Sequence, residues 1–547
     1  MAARMGSRQV AMVWFRKALR VDDNPALAAA ADAAAAVVPV FVLDPHLLTR
    51  AYVGDTRLVF LLESLLALDS SLRALGSQLL VIKGTPEKGA LDTLQALWRE
   101  VGADSLHFEA DYEPYAKIRD AKATRMAADD KLAVETSEPN LIYPMEVWES
   151  VPDAALPTTF GGMRKLIAKR GWQPQAPIEA PTELPPLPQA AVDAVAKDTE
   201  RFAVPGMAAF PGRSEGDGSS RAFPGGEAEA QERMRAFLAD VDRVVTFEKP
   251  KTNPFAEPPS TTGLSAHLKF GTLSVRRFYE QLRAVEEKSK RSVSQPPVSL
   301  VGQVLWREFY TVVGSRTPGY EAMATNPLSR IIPWDDEPDK VAAWAEGRTG
   351  FPLIDAVMRQ LRATGWVHHL ARHLVACFLT RGYLWQSWEA GAGVFNSLLL
   401  DADHYLNIGN WLWLSASAFF HQYWRVYSPI SFGNKYGASA HAYVRRWVPE
   451  LARLPDKHLM APFDAPEDVL ADAGVVLGRD YPEPIVDHAA AKTANLTKMK
   501  AAYAAKRRGD PSAAAGGNDA GSSAAAVGSK RRVSGAEGEP AGKRAKA

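Results

Sequence analysis

The sequence predicts an α/β domain followed by an all-helical domain, with a long connector between them. Three observations support this. Short β-rich runs alternate with helix-length segments in the first part of the chain, apolar residues recur at three- and four-residue spacings later on, and 547 residues exceed what one hydrophobic core encloses. We assign an α/β domain to 1–138, the connector to 139–226, the helical domain to 227–496 and a tail to 497–547.

Five runs in the first domain have the composition of buried strands. Amphipathic stretches of helix length separate them, which is typical of βαβ units and of a doubly wound parallel sheet. The predicted strands are Gln9–Phe15, Val37–Leu43, Gln78–Ile82, Ser105–Glu109 and Leu132–Glu135.

Ligands of such sheets bind beyond the carboxyl ends of the strands. This places a candidate cleft at the loop after Phe15 and at the turn Asp44–Pro45. Neither G-x-G-x-x-G nor G-x-x-x-x-G-K follows the first strand, which argues against a nicotinamide dehydrogenase.

The connector and the tail are identified by composition. The connector is rich in proline and glycine (PPLP, FPGRSEGDGSS), and we expect it to run partly extended over the surface. Beyond Lys506 the chain is rich in Ala, Gly and Ser, which predicts a disordered tail. It ends KRRVSGAEGEPAGKRAKA, in the form of a bipartite nuclear import signal. A random basic tail is the alternative; we expect a nuclear protein, and a plastid location stays open.

Bulk composition indicates a globular protein of a reducing compartment. The chain is 46% apolar and 23% charged, and Cys377 is its only cysteine. We find neither a secretory signal nor a run of about 18 apolar residues, so we expect no membrane span. The stretch 359–450 has eight Lys/Arg against four Asp/Glu, which fits an anionic partner or a solvated positive face. We expect a monomer.

Two histidines in GWVHHLARHLVACF are candidates for chemistry. His369 and His373 are four apart, so they share one face of a helix, whereas His368 points elsewhere. Zinc binding of the HExxH type needs a Glu where Leu370 stands. A pair of satisfied core histidines and a pair that transfers protons remain the two readings.

A second group of polar residues lies in LLLDADHYLN. Asp401 and Asp403 would be costly to bury without partners, and Arg372 is the natural partner for Asp401. A structural salt bridge is the simpler account. Asn407, four residues after Asp403, offers both a hydrogen-bond donor and an acceptor.

Aromatic and hydroxyl-bearing residues complete the candidate site. Trp385 and Trp388 share a helix face, as do Gln303 and Trp306, but tryptophans are usually core residues. TTGLSAHLKFGTLS supplies hydroxyls and amides ahead of a helix, a weak signal of a diphosphate cradle.

Between Thr261 and Pro429 these motifs together resemble the photolyase/cryptochrome family, and in detail its (6-4) photolyase and animal-like cryptochrome branch. The resemblance implies an α/β antenna domain and a helical domain that holds FAD. It also implies UV-damaged DNA as a partner. The cleft of the antenna domain would suit a chromophore, 8-hydroxy-deazaflavin or a folate, or none.

The same resemblance implies a role for each candidate residue. His369 would be the proton donor and His373 its helper, and Gln303, Trp306 and Tyr427 would contact the lesion. Asp403 would lie near the flavin ring and Asn407 would face its N5 atom. The residues implied to hold FAD are Thr261, Thr262, Gly263, Leu264, Ser265, Arg372, Asp401, Asp403 and Asn407. Those implied to carry electrons from flavin to surface are, in order, Trp411, Trp388, Trp334 and the outermost Trp385.

Two functions are therefore expected from the resemblance. One is light-driven repair of pyrimidine–pyrimidone (6-4) photoproducts in DNA by an electron from excited reduced FAD. The other is a blue-light or clock cryptochrome that acts through FAD photoreduction and clock or signalling proteins. A helical structural protein without a cofactor is a third, simpler hypothesis.

Overall fold

The computed structural model describes residues 8–85 and 89–505. The proposed nuclear import signal lies outside these residues. Residues 497–504, which composition placed in the tail, instead end the last helix of the described residues, where Met499 is completely buried. Met499 packs with Trp385, a contact distant in sequence that composition does not reveal.

A five-stranded parallel sheet forms the centre of the first domain. Its order is β3-β2-β1-β4-β5, and all four pairs are parallel, which confirms the doubly wound prediction. The strands are β1 Arg8–Phe15, β2 Ala34–Leu43, β3 Leu80–Lys83, β4 Ser105–Glu109 and β5 Ala133–Ser137.

Helices cover this sheet and continue into the connector. They are α1 Pro25–Ala33, α2 Asp55–Ala74, α3 Gly89–Glu100, α4 Pro114–Asp129, α5 Met145–Glu149, α6 Phe160–Arg170, α7 Gln189–Lys197 and α8 Thr199–Phe202. Four of them, α5 to α8, lie in the segment expected to be partly extended.

The second domain is helical. Its helices are α9 Glu227–Ala239, α10 Val241–Val245, α11 Ser265–Phe270, α12 Val275–Lys288, α13 Leu300–Ser315, α14 Pro338–Glu346, α15 Pro352–Thr364, α16 His369–Cys377, α17 Trp388–Leu398, α18 His404–Leu414, α19 Pro429–Tyr436, α20 Ala438–Trp447, α21 Asp456–Leu459, α22 Glu467–Ala473 and α23 His488–Ala504. A π-helical turn, Phe378–Gly382, extends α16. Short 3-10 helices span Asp153–Ala155, Met207–Ala209, Lys249–Lys251, Pro449–Leu451 and Pro462–Asp464. None of the helices in the described ranges is long and apolar enough to cross a bilayer.

The connector is pinned to the helical domain by a buried carboxylate. Glu308 of α13 is completely buried and accepts hydrogen bonds from the backbone N–H groups of Ile142 (3.0 Å) and Tyr143 (3.1 Å). Arg307, beside it, donates to the Asn140 carbonyl at 2.7 Å. Unpaired buried charges are costly, so these bonds fix the position of α13 relative to the connector.

Candidate functional site

A cavity of about 500 Å³ lies between α11, α13, α16 and α18. It brings together most of the residues singled out in the sequence. Its walls include Thr261, Thr262, Gly263, Leu264, Ser265, Gln303, Trp306, His369, Arg372, His373, Asp401, Asp403, Asn407, Trp411 and Tyr427. The other three tryptophans of the proposed relay, Trp388, Trp334 and Trp385, are not among the lining residues.

The turn before α11 forms one wall. Gly263 has φ +67°, a backbone conformation that favours glycine. A Cβ there would also lie 3.1 Å from the ring of Phe223, so the space is tight as well. Thr262 Oγ1 accepts a hydrogen bond from the Leu264 N–H (3.3 Å). Within the described chain the hydroxyls of Thr261 and Ser265 bond to no protein group, so they can serve a ligand.

A bidentate ion pair forms the floor. Arg372 Nη1 and Nη2 each donate to a carboxylate oxygen of Asp401 at 2.9 Å, which confirms the pairing predicted from the sequence. Arg372 Nε donates to the Val367 carbonyl, so the guanidinium bridges two segments of chain. Two parallel bonds fix orientation as well as distance, and the pair braces the cavity.

Asp403 and Asn407 set the polarity of the α18 wall. Asp403 caps this helix, because its Oδ1 accepts from the N–H groups of Tyr405 and Leu406, both at 3.1 Å. Asn407 Nδ2 donates to the Ala392 carbonyl at 2.9 Å. Its Oδ1 bonds to no residue of the described chain, so the wall presents an acceptor.

These observations test whether a flavin fits. An amide acceptor, free hydroxyls at a glycine turn and a buried indole N–H of Trp411 without a partner are groups that a polar aromatic ligand with a phosphate arm can satisfy. By contrast, in residues 8–85 and 89–505 no group of three His, Cys, Asp or Glu side chains is arranged to hold a metal ion. The donor set fits FAD.

The histidines lie at the opposite wall. The rings of His369 and His373 are 5.9 Å apart, and that of His373 lies 6.2 Å from Tyr427. His369 Nε2 is 3.2 Å from the Lys249 carbonyl oxygen, and since a carbonyl only accepts, Nε2 carries the hydrogen. His368 caps α16 through its Nδ1 atom.

Burial keeps these imidazoles neutral. Desolvation, with the Lys249 cation nearby, holds the pKa of His369 well below its ordinary value and lowers that of His373 to about 3. Desolvation and Arg372 likewise lower the pKa of Lys249 to about 8. A protonated His369 at neutral pH therefore needs added negative charge in the cavity.

Buried neutral histidines should make stability depend on pH. Burial lowers the pKa of His267 and of His368 to about 3, and these side chains are 0% and 2% exposed. Below pH ~6.5 these histidines become protonated in the unfolded chain but stay neutral in the folded chain. The free energy of unfolding is therefore highest above that pH and falls as pH drops toward 3. At pH 5 each histidine lowers the free energy of unfolding by about 2 kcal/mol. Urea unfolding between pH 7.5 and 5 measures this free energy, and His267→Asn should reduce its dependence on pH. An equal dependence on pH in that variant would mean that His267 is not one of the groups responsible.

The predicted lesion-contacting residues are oriented by their neighbours. Gln303 Nε2 donates to the Pro297 carbonyl at 2.9 Å, which leaves its Oε1 for the cavity. The Trp306 ring stacks on Phe160 of α6, with centroids 4.2 Å apart and planes 15° apart. Tyr427 follows a loop whose backbone the buried Arg381 holds through the Tyr423 carbonyl (2.7 Å).

The tryptophans of the proposed relay differ in how exposed they are. Trp411 is 1% exposed and packs where Gly391 leaves room, since a Cβ there would lie 2.2 Å from its ring. Trp334 and Trp385 are in contact, with centroids 4.8 Å apart. Trp385 is only 2% exposed, because α23 covers it, whereas Trp334 is half-buried. Trp334, not Trp385, is therefore the more solvent-exposed of the two.

Sequence reasoning missed Lys249, which lines the cavity, and two aromatic residues outside its wall, Phe160 and Trp424. Lys249 begins a short 3-10 helix, and Phe160 begins α6 in the segment expected to be partly extended. Trp424 is 58% exposed although Phe420, Arg425 and Tyr427 around it line the cavity, so it lies at the rim. The only sequence signal for Trp424 was its place three residues before the candidate Tyr427.

A second, smaller cavity of about 50 Å³ lies at the carboxyl ends of the strands. Lys17, after β1, pairs there with Asp111 (3.2 Å) and Glu113 (2.8 Å), after β4. Lys269 and Asp403 line both cavities, so the two share a wall. The loop after Phe15 is thus at a cleft, as the sheet topology predicted.

Comparison with known proteins gives the relationship. Residues 11–185 match the DNA photolyase family model, and residues 300–501 match the model of the FAD binding domain of DNA photolyase. A (6-4)DNA photolyase of Oryza sativa subsp. japonica is 42% identical over 91% of both chains. Cryptochrome-2 of Gallus gallus is 41% identical over 90% of this chain and 83% of its own.

A solved structure agrees with this. An archaeal photolyase from Sulfolobus tokodaii with two FAD molecules superposes with a TM-score of 0.68 at 25% identity, over 90% of this chain and 100% of its own. The sequence similarity, the parallel sheet and the flavin-compatible cavity all point the same way. The chain belongs to the photolyase/cryptochrome family, and its helical half is an FAD-binding domain.

Proposed function

We propose that this protein repairs pyrimidine–pyrimidone (6-4) photoproducts in DNA with light. The observation that carries the proposal is one continuous cavity. Its walls combine a flavin-compatible face, formed by Asp401, Asp403 and Asn407, with a face of histidine, glutamine and tryptophan. A flipped lesion needs aromatic surface and hydrogen-bonding groups of this kind.

The residues divide the work as follows. Bound reduced FAD supplies an electron to the lesion when blue or near-ultraviolet light excites it. Arg372 and Asp401 keep the floor rigid, and Asn407 Oδ1 accepts a hydrogen bond from the cofactor. Trp306 stacks on the extruded base, and Gln303 Oε1 accepts from its edge.

Proton transfer falls to His369, with His373 beside it. Phosphates of the bound lesion bring negative charge near Lys249 and Arg372, which offsets the cations that lower the pKa of His369. The imidazolium then donates a proton to the lesion, and the displaced OH or NH group returns to its original base. The electron would then return to the flavin and the proton to His369, so that the reaction consumes neither.

Duplex DNA would bind mainly through phosphates. Lys249, Arg425 and Lys435 line the cavity, and the exposed Arg425 and Lys435 are suited to phosphate contacts, so affinity for DNA should fall steeply as salt increases. A nuclear location, through the basic tail, suits this substrate, and a plastid location suits it equally.

The rim tryptophan gives a specific prediction for this mode of binding. Extruding a base leaves a gap, and Trp424 is an apolar side chain placed to contact the neighbouring bases. Trp424→Ala should weaken binding of lesion-containing duplex about tenfold, as expected for one lost stacking contact. Fluorescence polarisation measures it, with Ile118→Ala, 73% exposed on α4, as the control. Equal affinity of both variants would rule out a stacking contact at Trp424.

An antenna chromophore is proposed for the cleft at Lys17, Asp111 and Glu113, with Lys269 toward the flavin cavity. The enclosed space of about 50 Å³ is smaller than the rings of 8-hydroxy-deazaflavin or a folate, so most of the pigment would lie over the opening, against these charged side chains. The absorption spectrum of the pigment released on unfolding would identify it.

A second candidate function is a light-signalling or clock cryptochrome. It is favoured by the near-equal identity to the cryptochrome of Gallus gallus and to the photolyase of Oryza sativa. In that case FAD photochemistry would alter a surface that binds clock or signalling proteins, and one protein could serve both functions.

The deciding experiment is repair of purified (6-4) DNA under blue light. Protein with fully reduced flavin should restore the pyrimidines in light and not in darkness, whereas undamaged DNA stays unchanged. No repair despite complete flavin reduction would defeat the photolyase function and leave the cryptochrome function. A colourless purified protein would contradict both.

A further inference from the structure

The Trp306 side chain has one stacked ring contact in the described structure. Its contacts with Phe309 and Trp413 are edge-on (87° and 84°) and that with Tyr310 is tilted by 33°. Only Phe160 lies nearly parallel to it, at 15° and 4.2 Å. Phe160 is 7% exposed, so the contact is inside the protein.

Phe160 is itself firmly held. It is the first residue of α6, which Thr159 caps by accepting a hydrogen bond from the Gly162 N–H at 3.1 Å. One turn on, Met163 is 2% exposed and belongs to the same hydrophobic cluster as Phe160. The connector helix α6 is thus packed against α13.

The same helix supports the second lesion-side residue. Arg164 of α6 donates to the Pro296 carbonyl at 3.2 Å, and the next carbonyl, of Pro297, accepts from Gln303 Nε2. Support for both Trp306 and Gln303 therefore comes from α6, a part of the chain with no residue in the cavity wall.

We propose that Phe160 is a positioning residue for lesion recognition, which acts by holding the Trp306 indole in the plane that stacks on the extruded base. This inference rests on the proposed function. A platform that is already rigid loses less entropy when the base arrives. A contact on one face of the indole leaves the remainder of the ring to the cavity.

The test replaces the ring by another apolar side chain. Phe160→Leu should lower the preference for lesion-containing over undamaged duplex about tenfold, because the indole is then no longer held in the plane that stacks on the base. Repair per absorbed photon at saturating DNA and the photoreduction rate should stay at wild-type values, because the cavity keeps its flavin. Adding Phe160→Leu to Trp306→Ala should cause no further loss of preference.

Phe210→Leu is the matched control. Phe210 is also 7% exposed and also lies in the connector, but it packs on the core of the α/β domain. FAD content and thermal midpoint check folding. If Phe160→Leu lowers both, Phe160→Met offers a longer, more flexible apolar side chain that also has no ring plane.

The outcomes separate the two proposals. A wild-type protein that prefers the lesion, with an equal preference in Phe160→Leu, overturns this inference alone. So does a loss that adds fully to that of Trp306→Ala. A wild-type protein without any preference overturns the proposed function and this inference with it. If Phe160→Leu loses the preference for lesion-containing duplex and Phe210→Leu keeps it, the positioning role is supported.

Discussion

The His369→Ala variant is expected to bind FAD and lesion DNA but to lose repair activity by at least about 100-fold, the scale of a missing general acid. His369 lines the cavity with its Nε2–H fixed on the Lys249 carbonyl, so its orientation is set before substrate binds. Repair of (6-4) DNA by photoreduced protein, in product per absorbed photon, measures the effect.

The control for this variant is another buried histidine. His267 is completely buried but does not line the cavity, so His267→Asn should keep repair even if it alters stability. An unchanged repair rate in His369→Ala would remove the proton donor from the mechanism. Loss of FAD in that variant would instead mean that the imidazole is a structural part of the cavity.

The pH dependence adds an independent check on His369. Its pKa is held well below the ordinary value by desolvation and the Lys249 cation, so the protonated fraction rises as pH falls. Repair at saturating DNA should therefore increase from pH 8.5 to pH 6.5, and His369→Ala should abolish the increase. Lys249, whose pKa is lowered to about 8, also gains its proton between pH 8.5 and pH 6.5. The Lys249→Met variant removes this second titration, so an increase in repair that persists there belongs to His369.

The sequence alone sufficed where chemistry is local. Short β-rich runs between amphipathic segments of helix length identified all five strands. The run in β2 is almost entirely apolar because both faces of an inner parallel strand are buried. The four-residue spacing of His369 and His373 placed them on one helix face, and the cost of burying Asp401 indicated its pairing with Arg372. These features follow from the period of a helix and from the energetics of charge.

Contacts between distant segments could not be read in the same way. Phe160 stacks on Trp306, which lies 146 positions later in the chain, and no sequence pattern around either residue predicts this contact. Burial of Trp385 depends on α23, more than 100 residues later, and composition alone placed the end of that helix in the tail. Such contacts depend on the folded topology.

The Trp411→Phe variant is expected to lose photoreduction of oxidised flavin while repair by chemically reduced protein continues. Trp411 is the relay member that lines the cavity, and phenylalanine is harder to oxidise than tryptophan but keeps a ring in the space beside Gly391. The rate of flavin bleaching under blue light with an external reductant should fall more than about tenfold, a rise of over ~1.4 kcal/mol in activation free energy.

Trp413→Phe is the matched control, because Trp413 lies two residues further on the same helix and also lines the cavity. It is not part of the proposed relay and contacts Trp306 and Phe420 instead, so its replacement should leave the bleaching rate unchanged. Equal slowing in both variants would mean that electrons do not leave through Trp411. Slowing in Trp411→Phe alone, with repair by the dithionite-reduced protein intact, would separate the pathway that activates the flavin from the chemistry at the lesion. Trp334→Phe should then act in the same direction, since of the outer pair it is the more solvent-exposed ring.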